Sequence, residues 1–203
     1  MKNHTVVLTV IGFFFIIFGT FAMDYAIYRH EPSWVWWFCY VGMIIIGFGL
    51  VYKIPKLIIS QLYILTIPLI IWLTDFSYTF ITGQKLWGVT SYFFSKDLLL
   101  SARIVALEHF FLLPLAYLSL YFIIGQEKIK NAWVISLVQI SIIYLIVKFL
   151  TDGTQNVNCV IKSCFPYVPS DNIYPLRWFL IYISMIFITK FTLDLIIYLK
   201  NRK

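Results

Sequence analysis

Charge is what this sequence lacks most. Only 12% of its 203 residues are Asp, Glu, Lys or Arg, against about 25% in an ordinary soluble domain. So few charges cannot clothe a water-facing surface, which excludes a soluble globular protein. No polar connection is longer than about thirty residues, so a separate soluble domain is excluded too and residues 1–203 read as one membrane-embedded domain. Cysteine and histidine number three each. The chain has no His-Glu-x-x-His, Gly-x-Ser-x-Gly, phosphate-loop or Cys-x-x-Cys pattern, so no motif-defined hydrolase, nucleotide-binding or zinc-ribbon class applies. The net charge of +7 does not indicate nucleic acid, because the basic residues form short clusters between apolar runs rather than a stripe.

What is present is apolar: 61% of the chain is hydrophobic and its mean hydropathy is +0.86. A span needs about 20 mostly apolar residues, and six stretches qualify, at about 5–24, 34–52, 57–76, 100–123, 132–151 and 177–199. The expected fold is an all-α, six-transmembrane-helix bundle. The first run, from Thr5 to Met23, has no small-residue cleavage site before Asp24 and reads as a retained span. Lys2, Lys53, Lys56, Lys128, Lys130, Lys200, Arg202 and Lys203 fall on the side of the N-terminus, with Glu127 their only acid. The other side has Arg29, Lys85, Lys96, Lys162 and Arg177 against Asp24, Glu31, Asp75, Asp97, Asp152 and Asp171. Positive residues stay inside, so both termini are expected in the cytoplasm of a multi-pass plasma (inner) membrane protein.

The stretch 98–124 is expected to be the central helix, because adjacent Glu108 and His109 lie in it with Pro114 beyond. Ionisable groups at that depth are costly in hydrocarbon and face other helices or a wet cavity. His109 shares a face with Ala102, Ala106, Leu113 and Ala116 at helical spacing, and Arg103 is expected to reach outwards. Gly12 and Gly19 on the first span, and Gly42, Gly47 and Gly49 on the second, predict close helix contacts. Pro68 predicts a kink or a local polar partner. Residues 77–97 read as an ordered loop, with an interfacial or re-entrant lid as the alternative. Cys39, inside the second span, reads as packing.

Outward-running spans end in acids: Asp24, Asp75 and Asp152. Lys148 and Asp152, and Lys190 and Asp194, stand four apart; the second is an intramembrane ion pair, structural or part of a relay. Cys159 and Cys164 in the last outer loop are expected to form a disulfide on the oxidising face. His109 lies roughly 15 Å below the outer end of its helix. A cleft facing the outer leaflet, with Glu108 and His109 at its base and aspartates at its mouth, follows. Histidine with carboxylates suits borderline and hard divalent cations, so such a cation is a candidate cofactor whose identity stays open. The same residues suit acid–base work.

The segments Asp75 to Gly83 (DFSYTFITG), 109–114 (HFFLLP), Leu-Thr-Asp152 and Asn156-Val157-Asn158 resemble small bacterial and archaeal six-span proteins known only as membrane-associated. The likeness covers somewhat under half the chain and supports the architecture and the choice of positions, without a reaction. A histidine followed by Leu-Pro inside a span is fainter, and is similar to six-span lipid hydrolases and acyltransferases with an intramembrane histidine.

The expected function is therefore chemistry on a lipid or amphipathic substrate, with membrane lipids as partners and no nucleic acid. His109 would be base or metal ligand and Glu108 its partner. Asp75, Asp152 and Asp24 would bind a cation or headgroup, and Asn156 and Asn158 would line the entrance. Two other readings stay open. A transporter would run a polar path through Gln139, Lys190 and Asp194, whereas a scaffold or assembly factor would bury Glu108 and His109 in packing hydrogen bonds.

Overall fold

The computed structural model describes residues 2–123 and 129–200. Of the charges used for the topology, Glu127, Lys128, Arg202 and Lys203 lie outside the described residues, as do the side chains of Lys2 and Lys200. The described chain is all-helical, without strands. Its helices are α1 (Lys2–Tyr28), α2 (Phe38–Val51), α3 (Pro55–Thr82), α4 (Leu100–Ala106), α5 (Glu108–Ile123), α6 (Ala132–Leu150) and α7 (Tyr174–Lys200).

Five helical segments are long and apolar enough to cross a membrane: Thr5–Tyr28, Pro55–Thr82, Leu100–Ile123, Ala132–Leu150 and Tyr174–Tyr198. The third of these joins α4 and α5 across Leu107. Their outward faces are apolar, with Val10, Phe13 and Ile17 of α1, Val138, Ile142 and Leu145 of α6, and Ile188, Phe191 and Leu195 of α7 all exposed. Such bare strips are what a bilayer covers.

The expected span 34–52 is not one helix. A 3-10 turn over Pro32–Trp36 ends at Trp37, whose φ of −59° and ψ of 131° lie outside the helical region. Only the 14 residues of α2 follow, about 21 Å at 1.5 Å per residue. The break is filled from a distant loop. Asn158 Oδ1 accepts from the Phe38 amide at 3.0 Å, and Asn158 Nδ2 donates to the Trp36 carbonyl at 2.8 Å.

The central helix is α3, not the expected stretch 98–124. More than half of its span is buried, and it packs against α2, α5, α6 and α7. It runs unbroken through Pro68 and past the expected end at 76, stopping at Gly83, where φ is +70°. The α1–α2 hairpin closes on glycine: a Cβ on Gly47 would stand 2.6 Å from the Gly12 carbonyl oxygen. Only glycine at this crossing lets the two backbones touch.

Two connections cap one end of the bundle. Residues 83–99 fold back over α3, and residues 151–173 carry the Cys159–Cys164 pair at disulfide geometry, with Cα atoms 5.6 Å apart.

Candidate functional site

The site lies under those two connections, where the first turn of α2, the middle of α3, the start of α5 and the first half of α7 meet. They enclose a cavity of about 190 Å³. Its wall is mostly apolar, with Ile64, Leu65, Leu69 and Trp72 of α3, Trp178 and Tyr182 of α7, and Phe165 and Val168 of the loop. Cys39 and His109 are set into that wall.

His109 is held on three sides. Its Nδ1–H donates to the Ala106 carbonyl at 3.0 Å, which leaves Nε2 as the acceptor. Nε2 lies 3.7 Å from Cys39 Sγ. The Trp72 ring stacks on the imidazole at 4.3 Å between centroids. The Ala106 carbonyl is available because the helix is interrupted at Leu107, between α4 and α5. Glu108 is the first residue after that interruption and is only 1% exposed. Its Oε1 stands 3.7 Å from His109 Nδ1, and its Oε2 has no hydrogen-bond partner. Donor atoms of Cys39, Glu108 and His109 all lie within 4.8 Å of one another.

The expected Glu108–His109 pair is thus brought together, and Cys39 is added to it. Read as packing in the sequence, Cys39 is the free cysteine of the described residues and points at the histidine. Nothing local signals this. Its position depends on where the 3-10 turn ends and on Asn158, more than a hundred residues away.

The remaining expected site residues do not join the centre as ligands. Asp75 is fully buried and acts as a loop clamp. Its Oδ1 accepts from the amides of Trp87 and Gly88 at 2.7 and 3.1 Å, and its Oδ2 from the Thr90 amide and hydroxyl, both at 2.7 Å. With four donors taken, it has no capacity for a cation or headgroup. It acts at one remove instead, because the clamped loop carries Tyr92, whose hydroxyl accepts from Trp72 Nε1 at 3.1 Å above His109. Arg103 reaches the same loop, donating from Nη2 to the Ser95 carbonyl at 2.9 Å.

Asn156 organises its own loop. Its Oδ1 accepts from the amides of Ile161 and Lys162 at 3.1 and 2.8 Å. Asn158 lines the cavity while joining that loop to α2, and its carbonyl accepts from Trp178 Nε1 at 2.7 Å. Asp152 is exposed; its carboxylate accepts from the Thr154 amide at 2.9 Å, which holds its carboxyl below the usual carboxylate range. Lys148 turns to Tyr144 at 3.4 Å rather than to Asp152. Asp24 is exposed on α1 and takes no part in the cluster.

Gln139, expected on a transport path, is paired with a glutamine of α3. Gln61 and Gln139 form a closed amide pair at 2.7 and 3.0 Å, and Ser136 donates to the Ser60 carbonyl at 2.7 Å. Lys190 and Asp194 do pair, at 2.7 Å, in the second half of α7, with Asp194 about half exposed. Compared with protein families, with curated proteins and with solved structures, the chain shows no match.

Proposed function

We propose that this chain is a six-span membrane enzyme acting on the polar end of a lipid or other chain-bearing amphiphile, with Cys39, His109 and Glu108 as its reactive centre. The sixth crossing is α2 together with its preceding 3-10 turn. Five residues at about 2.0 Å and fourteen at about 1.5 Å reach roughly 31 Å, close to the bilayer's hydrocarbon thickness. Basic residues at the opposite end support termini in the cytoplasm of a plasma membrane protein and a capped end turned outwards, where a Cys159–Cys164 disulfide is at home.

The observation that carries the reading is the setting of His109 Nε2 and Cys39 Sγ in the wall of an apolar cavity, beside a buried carboxylate. An alkyl or acyl chain suits the apolar wall, and a few convergent polar groups in such a pocket are what a binding or active site requires. Nε2 is the free basic nitrogen and takes the proton of a substrate or water. The imidazolium that forms faces the Glu108 carboxylate, which offsets its charge. Cys39 lies in the first turn of α2 with its sulfur 3.7 Å from Nε2.

The test is conversion of lipids by the full chain in vesicles of total membrane lipid extract, read by mass spectrometry of every lipid class. The wild type is expected to change one class, and His109→Ala and Glu108→Ala to lose at least about a hundredfold in rate at unchanged melting temperature. A wild type that changes no lipid class, or variants that convert it as fast, would sink the reading.

A further inference from the structure

The reactive centre proposed above is built as a site for one divalent transition metal ion, and we propose that Cys39 Sγ, His109 Nε2 and one Glu108 carboxylate oxygen bind Zn2+ or a cation of its class. The inference rests on that functional reading for its substrate and replaces the role of Nε2 in it: as a ligand Nε2 no longer takes a proton, and a bound cation would supply the activated water instead.

Four features converge. The first is the donor set. Thiolate, imidazole and carboxylate are the three ligand types zinc takes, in sites of three protein ligands with a fourth position open. The second is spacing. Sulfur at about 2.3 Å and nitrogen at about 2.0 Å from a tetrahedral ion stand about 3.5 Å apart. Cys39 Sγ and His109 Nε2 are 3.7 Å apart, long for a hydrogen bond between them but right for two ligands of one ion.

The third feature is the support of the histidine. A metal-bound imidazole donates its other ring nitrogen to a carbonyl or carboxylate, which fixes the tautomer and aims the ligating nitrogen. His109 Nδ1 does this with the Ala106 carbonyl at 3.0 Å, and Trp72 fixes the ring plane. The fourth is Glu108. Its carboxylate is 1% exposed and its Oε2 has no partner. An unpaired buried polar atom is costly, and inside a membrane it marks a partner still to be placed. A divalent cation with one thiolate and one carboxylate has no net charge, which makes this ligand set suited to an apolar surrounding. The fourth coordination position then faces the cavity, because Cys39 and His109 both line it. Closed structural zinc centres lack such an opening.

The probes are Zn2+ for stoichiometry and Co2+ for its thiolate charge-transfer absorption, added to the full chain in detergent micelles. The wild type is expected to retain one metal per chain by elemental mass spectrometry and to show the cobalt–thiolate band. Cys39→Ser and His109→Ala are expected to lose the band, and Glu108→Gln to bind at least tenfold more weakly. The double variant Cys159→Ser/Cys164→Ser keeps the band, which separates Cys39 from the loop cysteines. Should the site variants not fold, the wild type still decides, since bound Zn2+ slows alkylation of Cys39 by iodoacetamide.

Absence of the metal, the band and the protection in the wild type overturns the site, as does a band that survives Cys39→Ser. The two proposals fail separately. Lipid turnover that depends on His109 in metal-free protein removes the metal and leaves the enzyme. A stoichiometric metal in a protein that turns over no lipid removes the lipid reaction and leaves the site.

Discussion

Asp75 illustrates how much one buried carboxylate organises. It gathers three backbone amides and a hydroxyl from residues 87–90, and through Tyr92 and Trp72 it settles the plane of the His109 ring. Asp75→Ala is expected to strand those donors and cost about 3 kcal/mol, read as a lower melting temperature and faster hydrogen exchange over residues 83–99. Unchanged exchange there would show that the loop is held by its aromatics alone. Asp152 is a milder case. Its carboxyl is depressed by the Thr154 amide, so its contribution is present above the carboxyl's unfolded value and is lost as the pH falls through the folded one. Protection of the Thr154 amide in hydrogen exchange is expected to weaken on acidification below the ordinary carboxylate range in the wild type and to be insensitive to pH in Asp152→Ala.

Among the elements, the α1–α2 hairpin and the α3–α6 contact show two ways of joining helices without a hydrophobic drive between them. The first uses absence of a side chain. Gly47→Leu would push a Cβ onto the Gly12 carbonyl and is expected to cost about 2 kcal/mol, as overpacking does; thermal unfolding with wild-type stability would show that the hairpin can separate at no cost. The second uses paired amides. Gln61→Leu and Gln139→Leu each leave the other amide without its cross-helix partner. The double variant is expected to be more stable than the two single losses summed, by about 1 kcal/mol. Strict additivity in that cycle would show that the amides do not interact. The interruption at Leu107 belongs to this scale too, since it frees the Ala106 carbonyl for His109.

At the scale of the whole molecule, α3 is the post around which the others stand, and the capped end differs from the bare one. Two connections, one clamped by Asp75 and one by Asn158, roof the cavity that Cys39 and His109 line. The six-span arrangement turns on α2. In a variant without native cysteines, His30→Cys and Lys53→Cys are expected to react with a membrane-impermeant maleimide from opposite sides of the vesicle. Labelling from the same side would show that α2 does not cross.

The amino-acid sequence by itself determined that the chain is helical and apolar on the scale of a membrane, because hydropathy accumulates over some twenty neighbouring residues and needs no tertiary partner. It also marked Glu108 and His109, since ionisable side chains stand out in an apolar run, and it marked the Cys159–Cys164 pair through spacing. Tertiary structure decided the rest. Whether Asp75 faces a solute or its own loop depends on residues 87–90 folding back, and no local pattern specifies that. The shortening of the second span follows from Trp37 leaving the helical region, a break that Asn158 spans from another part of the chain. Cys39 became a partner of His109 only because helices far apart in sequence pack at one level. A contact between such helices is a property of their packing and not of either stretch alone.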